Sequence, residues 1–354
     1  MTPLAIIGTG AVHPDGVGAA LLPTTADPAG ELPGASVASF AGEPLPPAAH
    51  RFAADFDVRE LLGRKGTSFY DRATAMAVVA CGEALRSAGI VGGPDGDART
   101  GVVLGTTLGS FRSTSDYSRE TLVQEKPYLV NPVLFPNTVM NCAAGQVAIR
   151  YRLRGVNSTV ATGPLAMVSA LRYAHTTIVR GAADVLLAGA VEEFSAHRAW
   201  WVHRRHGGPT GEGAAVFAVR ADAPGLDRDA EILGLATGFA PDPADALAAC
   251  VRRVLAQAAR SPAEVTAVIL GDCDATAEAT AAVLLGHHPA RIWAGHWWGE
   301  CDAAAGALGL AVFLAQVRAG ILPDGALGLL TATSPDGAAG ATLVRGWARA
   351  ADRA

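Results

Sequence analysis

The chain has 354 residues, a formal net charge of −5 and a hydrophobic fraction of 50%; a chain of this size buries a large core, as one big domain or as two fused halves. The mildly acidic balance leaves no electrostatic footprint for nucleic acid, and 41 glycines beside a high alanine content suit close-packed helices on sheets rather than disorder. Five cysteines (Cys81, Cys142, Cys250, Cys273, Cys301) stand far apart with no Cys-x-x-Cys and no Cys/His metal spacing, so they read as reduced intracellular thiols.

In chain order, residues 3–12 (PLAIIGTGAV) form a short apolar strand closed by glycines. No Lys or Arg precedes the run, so it reads as a first strand rather than a secretion signal. Residues 23–48, rich in Pro, Ala and Gly, predict an irregular surface excursion. Helical periodicity covers 68–88 and ends at Gly89, a C′ glycine. A buried strand is expected at 100–105, a polar helix at 111–123, and a helix at 135–150 opened by Pro136–Asn137. A strand at 157–161, a helix at 164–181 and strands at 183–193 and 211–220 follow. The second part repeats the alternation: strand 230–236, helix 244–259, strand 265–272, helix 277–285, a helix after Ala303 and a strand at 341–347. Gly306, Gly309, Gln316 and Arg318 interrupt the apolar run 303–321, which makes it a buried helix and not a membrane span. Alternating strands and helices predict an α/β architecture in one compact, soluble, cytoplasmic unit. The GHHP run at 286–289 lacks further ligands and is a loop rather than a metal site.

Several of these segments, in order, resemble the thiolase-like β-ketoacyl synthases. FPNTVMNCAAGQVAIRYRLRG is similar to that family's Pro-Asn helix and following turn, GAADVLLAGAVEE to its G-x-A-D-V strand, GEGAAVFAVR to its Gly-Glu-Gly-Ala strand, and AAAGALGLAVFLAQVRAGILP to the long helix after its Gly-His motif. The resemblance runs from Leu4 to Val344 and implies a thiolase-like duplicated α-β-α-β-α layered sandwich, with residues 1–222 and 223–354 as its two halves. It implies neither a cofactor nor a metal.

The departures from the family pattern are informative. The resemblance puts the nucleophilic cysteine seventeen residues before Gly181, at the position of Pro164 in ATGPLAM. Proline carries no nucleophile and no N–H. In the family that N–H is an oxyanion donor, and one such donor is worth about 2.7–4 kcal/mol. Pro164 is nonetheless a comfortable helix start, with Thr162 or Gly163 as its cap. Asp272 stands where the resemblance implies the first catalytic histidine, and Glu300 where it implies the second, with Gly299 keeping the preceding glycine. A second register, which needs a gap before the helix, sets His296 there instead. The turn that supplies the other oxyanion donor corresponds to residues 334–340, SPDGAAG.

A synthase-like chain with these losses is similar to the chain-length factor, or ketosynthase β subunit, of bacterial type II polyketide synthases. Its shortened loops resemble those of polyene-type systems more than aromatic ones. That subunit pairs with a catalytic ketosynthase as a heterodimer, meets the acyl carrier protein through the complex, and shapes an acyl tunnel at the interface. The resemblance implies Phe111, Ser115, Tyr117, Ser118, His197 and Arg198 as tunnel residues, with Asn137, Met140 and Trp200 as interface residues; the helix at 111–123 reads equally as an ordinary half-buried helix, and Arg198 equally as surface charge. The contrasting reading is a thioester hydrolase or acyltransferase with a relocated nucleophile at Cys273 or Cys301. The adjacent carboxylates at Asp272, Asp274 and Glu300 oppose the thiolate it would need.

Overall fold

The computed structural model describes residues 2–25, 37–90, 96–271 and 275–348. In the first half, strands β1 (Leu4–His13), β2 (Thr100–Thr106), β3 (Asn157–Ala161), β4 (Val185–Glu192) and β5 (Gly213–Ala221) stand in the order β1-β5-β4-β2-β3. In the second half, β6 (Ala230–Phe239), β7 (Ala267–Leu270), β8 (Ala290–Trp293), β9 (Leu327–Thr333) and β10 (Ala338–Gly346) stand in the order β6-β10-β9-β7-β8. The two orders are the same, and so are the directions: first with fifth and fifth with fourth antiparallel, fourth with second and second with third parallel. The halves join where β1 runs antiparallel to β6, pairing Leu4 with Ile232 and Ile6 with Ala230. The sequence carries no visible repeat, yet the topology is duplicated.

Among the described residues, the helices longer than five residues are α1 (Arg72–Ser87), α2 (Phe111–Val123), α3 (Cys142–Tyr151), α4 (Ala166–Val179), α5 (Ala196–His206), α6 (Pro243–Ala258), α7 (Ala275–Leu285) and α8 (Ala305–Arg318). Three buried clusters define the layers. The central one joins Met167 and Leu171 of α4 and Leu308 and Phe313 of α8 to Phe217 of the first sheet half and Ile269 and Leu330 of the second. A second cluster packs α1 and α3 against the outer face of the first half, through Met76, Val147, Leu104 and Val216. A third packs α6 and α7 against the outer face of the second half, through Leu247, Ala281 and Leu343. The order is therefore helix, sheet, helix, sheet, helix. Residues 305–317 of α8 are all buried, which explains an apolar stripe with no polar face. Close approach requires glycine there: a Cβ at Gly309 would stand 2.8 Å from Ile269 Cγ2.

Local signals account for most boundaries. The Asp71 carboxylate caps α1 by accepting the Thr74 N–H at 2.7 Å, and Gly89 takes φ 66° behind its last turn. Four sequence expectations change. The helix expected at 135–150 is a short turn, Phe135–Thr138, then α3, because Val139 is extended. Helix α5 was unexpected, although Ser195 caps it through the Arg198 N–H and Gly207 closes it at φ 70°. Strands β8 and β9 were unexpected too; β9 is buried throughout, so its sequence shows no alternation. No helix among the described residues is long and apolar enough to cross a membrane.

Candidate functional site

The turn between β3 and α4 is built on Gly163 at φ 53°, followed by Pro164 at a position that needs no N–H. Thr162 occupies the cap place, but its hydroxyl donates to Ser169 Oγ at 3.2 Å instead of capping. This turn forms one wall of a cavity of about 730 Å3. Glu300, Asp302, Thr107, Trp201 and Arg205 form further walls, and the β9–β10 turn from Thr333 to Asp336 completes it. Sequence positions as distant as 164, 300 and 336 thus meet in one site.

Glu300 follows Gly299, which takes φ 80° at the end of the short helical turn Gly295–Trp298. Its backbone is pinned by Glu300 N–H to Pro209 O and Gly211 N–H to Glu300 O, both 2.9 Å, and its carboxylate accepts the Asp302 N–H at 2.7 Å. Asp302 holds φ 42°, a left-handed conformation that costs a non-glycine residue energy. The Arg198 side chain holds it there: Nε and Nη2 donate to Asp302 Oδ2 at 2.9 and 2.6 Å. Nη2 also donates to Glu300 O, and Nη1 to the carbonyls of Glu193 and Gly211. All five N–H groups of Arg198 are used, and the residue is 1% exposed. The surface-charge reading of Arg198 is therefore corrected: it is the buried tie beneath the Glu300 loop.

Two buried carboxyls lie under the same site. Glu192 accepts the Thr107 N–H at 3.0 Å, and burial pushes its carboxyl up from the ordinary range, against the pull of Arg198. Glu193 accepts the Arg112 N–H at 2.9 Å and lies 3.2 Å from Ser110 Oγ; burial, with Asp71 nearby, pushes its carboxyl up to about 8. Glu193 therefore anchors the start of α2 as a protonated acid near neutral pH. One pointer to these roles is legible in the chain, a Glu-Glu pair ending an apolar strand.

Asp336 is held below the usual carboxylate range mainly by the Ser334 hydroxyl. Among the described residues, none that lines the cavity is a cysteine or a histidine. His296 faces elsewhere, 4.6 Å from the Trp293 ring and within hydrogen-bond reach of Arg291. Cys301 is fully buried, and burial pushes its thiol well up, both of which count against a relocated nucleophile there. Asp272 and Cys273 lie outside the described residues. Among the described residues no group of three or more His, Cys, Asp or Glu is placed to hold a metal.

Helix α2 has no buried residue in the single chain. Phe111 packs 6.4 Å from Trp201 and so reaches the cavity only through it. Tyr117 packs 6.0 Å from Phe135; Ser115 is half-buried and Ser118 exposed. None of the four lines the cavity. His197 is half-buried, with Nδ1 lacking a hydrogen-bond partner among the described residues. Asn137 donates to Phe69 O at 2.9 Å, and Met140 is exposed in the same segment. Trp200 stands apart on α5, donating to Pro44 O at 2.9 Å.

Residues 1–226 match the family model described as the beta-ketoacyl synthase, N-terminal domain. The solved ishigamide ketosynthase/chain length factor is 32% identical, with a TM-score of 0.82 over 98% of this chain and 100% of that one. A type II PKS acyl-carrier protein in complex with its ketosynthase bound to the hexaketide gives a TM-score of 0.77 at 18% identity, over 98% of this chain and 99% of the other, a likeness of fold. The 3-oxoacyl-[acyl-carrier-protein] synthase 2 of Rhizobium meliloti (strain 1021) is 32% identical over 205 residues, 54% of this chain and 47% of the relative. The match spans about half the length of the curated relatives.

Proposed function

The chain belongs to the β-ketoacyl synthase family and has its thiolase-like α/β fold, and from that premise we propose that it is a non-catalytic chain-length factor of a type II polyketide system. One observation carries the reading. The cavity entered by the β3–α4 turn is walled by Pro164, Glu300 and Asp336, and among the described residues no cysteine or histidine lines it. Condensation needs a nucleophile and a site that welcomes developing negative charge. The described lining offers no thiol, and its three carboxylates outnumber its one cation, Arg205, so that it opposes an oxyanion.

The partner is a catalytic ketosynthase in a heterodimer, which the acyl carrier protein visits. Two solved structures support this choice: the ishigamide ketosynthase/chain length factor and, by likeness of fold alone, a ketosynthase in complex with its acyl-carrier protein. The surface supports it as well. Among the described residues strand β3 pairs only with β2 and has no partner on its other edge, and it carries no charge and no proline. Beside it in sequence, residues 122–149 expose large apolar side chains, with Leu122 at 84% and Ile149 at 72%. Asn137 and Met140 belong to this surface; Trp200 would extend it. The helix α2, with Phe111, Ser115, Tyr117 and Ser118, would line the acyl tunnel once the partner covers it, with His197 at its far end, and the chain grown there would be of the polyene type. Arg198 serves that tunnel indirectly, by holding the Glu300 loop. Residues 1–222 and 223–354 are the two halves of the duplicated unit.

The test is to offer the isolated chain an acyl group on a carrier protein and, separately, to co-express it with a ketosynthase. The reading expects no acyl transfer to the isolated chain and a one-to-one complex with the synthase. An acylated chain or a chain that ignores the synthase would overturn it.

A further inference from the structure

Beside the open edge of β3 lies a groove of about 470 Å3 between that strand and α4, lined by Val160, Ser169, Arg172, Tyr173, Thr176 and Arg180 among others. Among the described residues its lining holds two guanidinium groups and no carboxylate. Arg172 and Arg180 are both exposed, and among the described residues neither forms an ion pair. Arg99, Arg198, Arg228 and Arg318, by comparison, all meet carboxylates of this chain. What sets Arg172 and Arg180 apart from the other arginines without an ion pair among the described residues is that they share one groove beside the strand edge. A basic groove along an uncovered, uncharged strand edge calls for an acidic occupant.

The position of the groove has a second consequence. If two copies of this chain paired through β3 about a two-fold axis, the same patch would face itself. Two grooves would adjoin, and four guanidinium groups would gather beside the new strand pair. Like charges placed together across an interface act against the wrong partner, while opposite charges favour the right one.

We propose that Arg172 and Arg180 select the partner: they meet carboxylates on the ketosynthase edge that pairs with β3, and they oppose pairing of this chain with itself. The inference rests on the heterodimer reading above and names the chemistry of its contact.

The test uses the full chain, co-expressed with a ketosynthase carrying its cysteine and both histidines, in three forms: wild type, Arg172→Glu/Arg180→Glu, and Arg172→Lys/Arg180→Lys. Both residues are exposed, so all three should melt alike by circular dichroism. The wild type and the lysine form should co-purify with the synthase, and the glutamate form should bind about tenfold more weakly or worse. High salt should narrow the difference. Equal co-purification of all three forms would overturn the selection by charge and leave the heterodimer standing. Failure of the wild type itself to co-purify would overturn the heterodimer reading, and this one with it.

Discussion

Arg198 Nη2 meets Asp302 Oδ2 at 2.6 Å with both side chains buried, and this contact fixes the loop that carries Glu300 into the cavity. Two distant segments, the start of α5 and the start of α8, are joined by one guanidinium. The ion pair is buried, so its value lies less in net attraction than in the penalty for breaking it.

Arg198→Met should therefore destabilise the chain by about 3–5 kcal/mol, because Asp302 is left as a buried charge without a counterion. The double variant Arg198→Met/Asp302→Leu should recover much of that loss, since neither charge remains buried. Denaturant midpoints of the wild type, both single variants and the double variant give the cycle. Additive single and double effects would show that the two groups do not act as a pair.

Pro164→Cys should give no condensing activity in the isolated chain. The new thiol would share its cavity with Glu300, Asp302 and Asp336 and would find no histidine among the described residues of the lining. Its thiolate is opposed by those charges. Alkylation by iodoacetamide should accordingly be slow at neutral pH. Turnover from this single substitution would mean that a base reaches the cavity.

The pH dependence of stability has a defined sign. Burial raises the Glu193 carboxyl from 4.5 to about 8, so between those values the folded chain holds a proton that the unfolded chain has released. Stability from this group is present at low pH and falls as pH rises through that window. Glu193→Gln keeps an acceptor for the Arg112 N–H without the titration. Its midpoint should exceed the wild type's at pH 8.5 and draw level near pH 5, as the proton is restored; a constant gap across pH would contradict the assignment.

These charged ties were the least legible part of the sequence. The alternation of strands and helices and the segments similar to a known family sufficed for the α/β architecture, because buried strands and amphipathic helices write their periodicity into the chain. Strand β9 escaped because it is buried on both faces, and α5 because its cap residues, Ser195 and Gly207, flank a helix rich in polar and aromatic residues. The meeting of Pro164, Glu300 and Asp336 could be expected only through the resemblance, since nothing local links them. Arg198 shows no sequence signal of burial, and Glu192 and Glu193 show only their place at the end of an apolar strand, as each is admitted to the interior by partners far away in the chain.

Phe111→Ala should lengthen the products of the assembled complex. Phe111 supports Trp201, which walls the cavity, and its removal frees space on the side where α2 meets the partner. Tyr117→Ala, which loosens α2 from Phe135 further out, should have the smaller effect. Because α2 has no buried residue in the single chain, the loss of stability should fall short of the 3–5 kcal/mol typical of a buried aromatic, about half of it or less. An unchanged product distribution from an intact Phe111→Ala complex would remove α2 from the tunnel.

The claim that this chain is a partner rather than a catalyst is tested most directly in the complex itself. The ketosynthase's nucleophilic cysteine is replaced by alanine, this chain is left intact, and products on the acyl carrier protein are weighed by intact-protein mass spectrometry. The account predicts that elongation stops completely while the one-to-one complex still assembles. Continued elongation with the synthase cysteine gone would place the chemistry in this chain and contradict it.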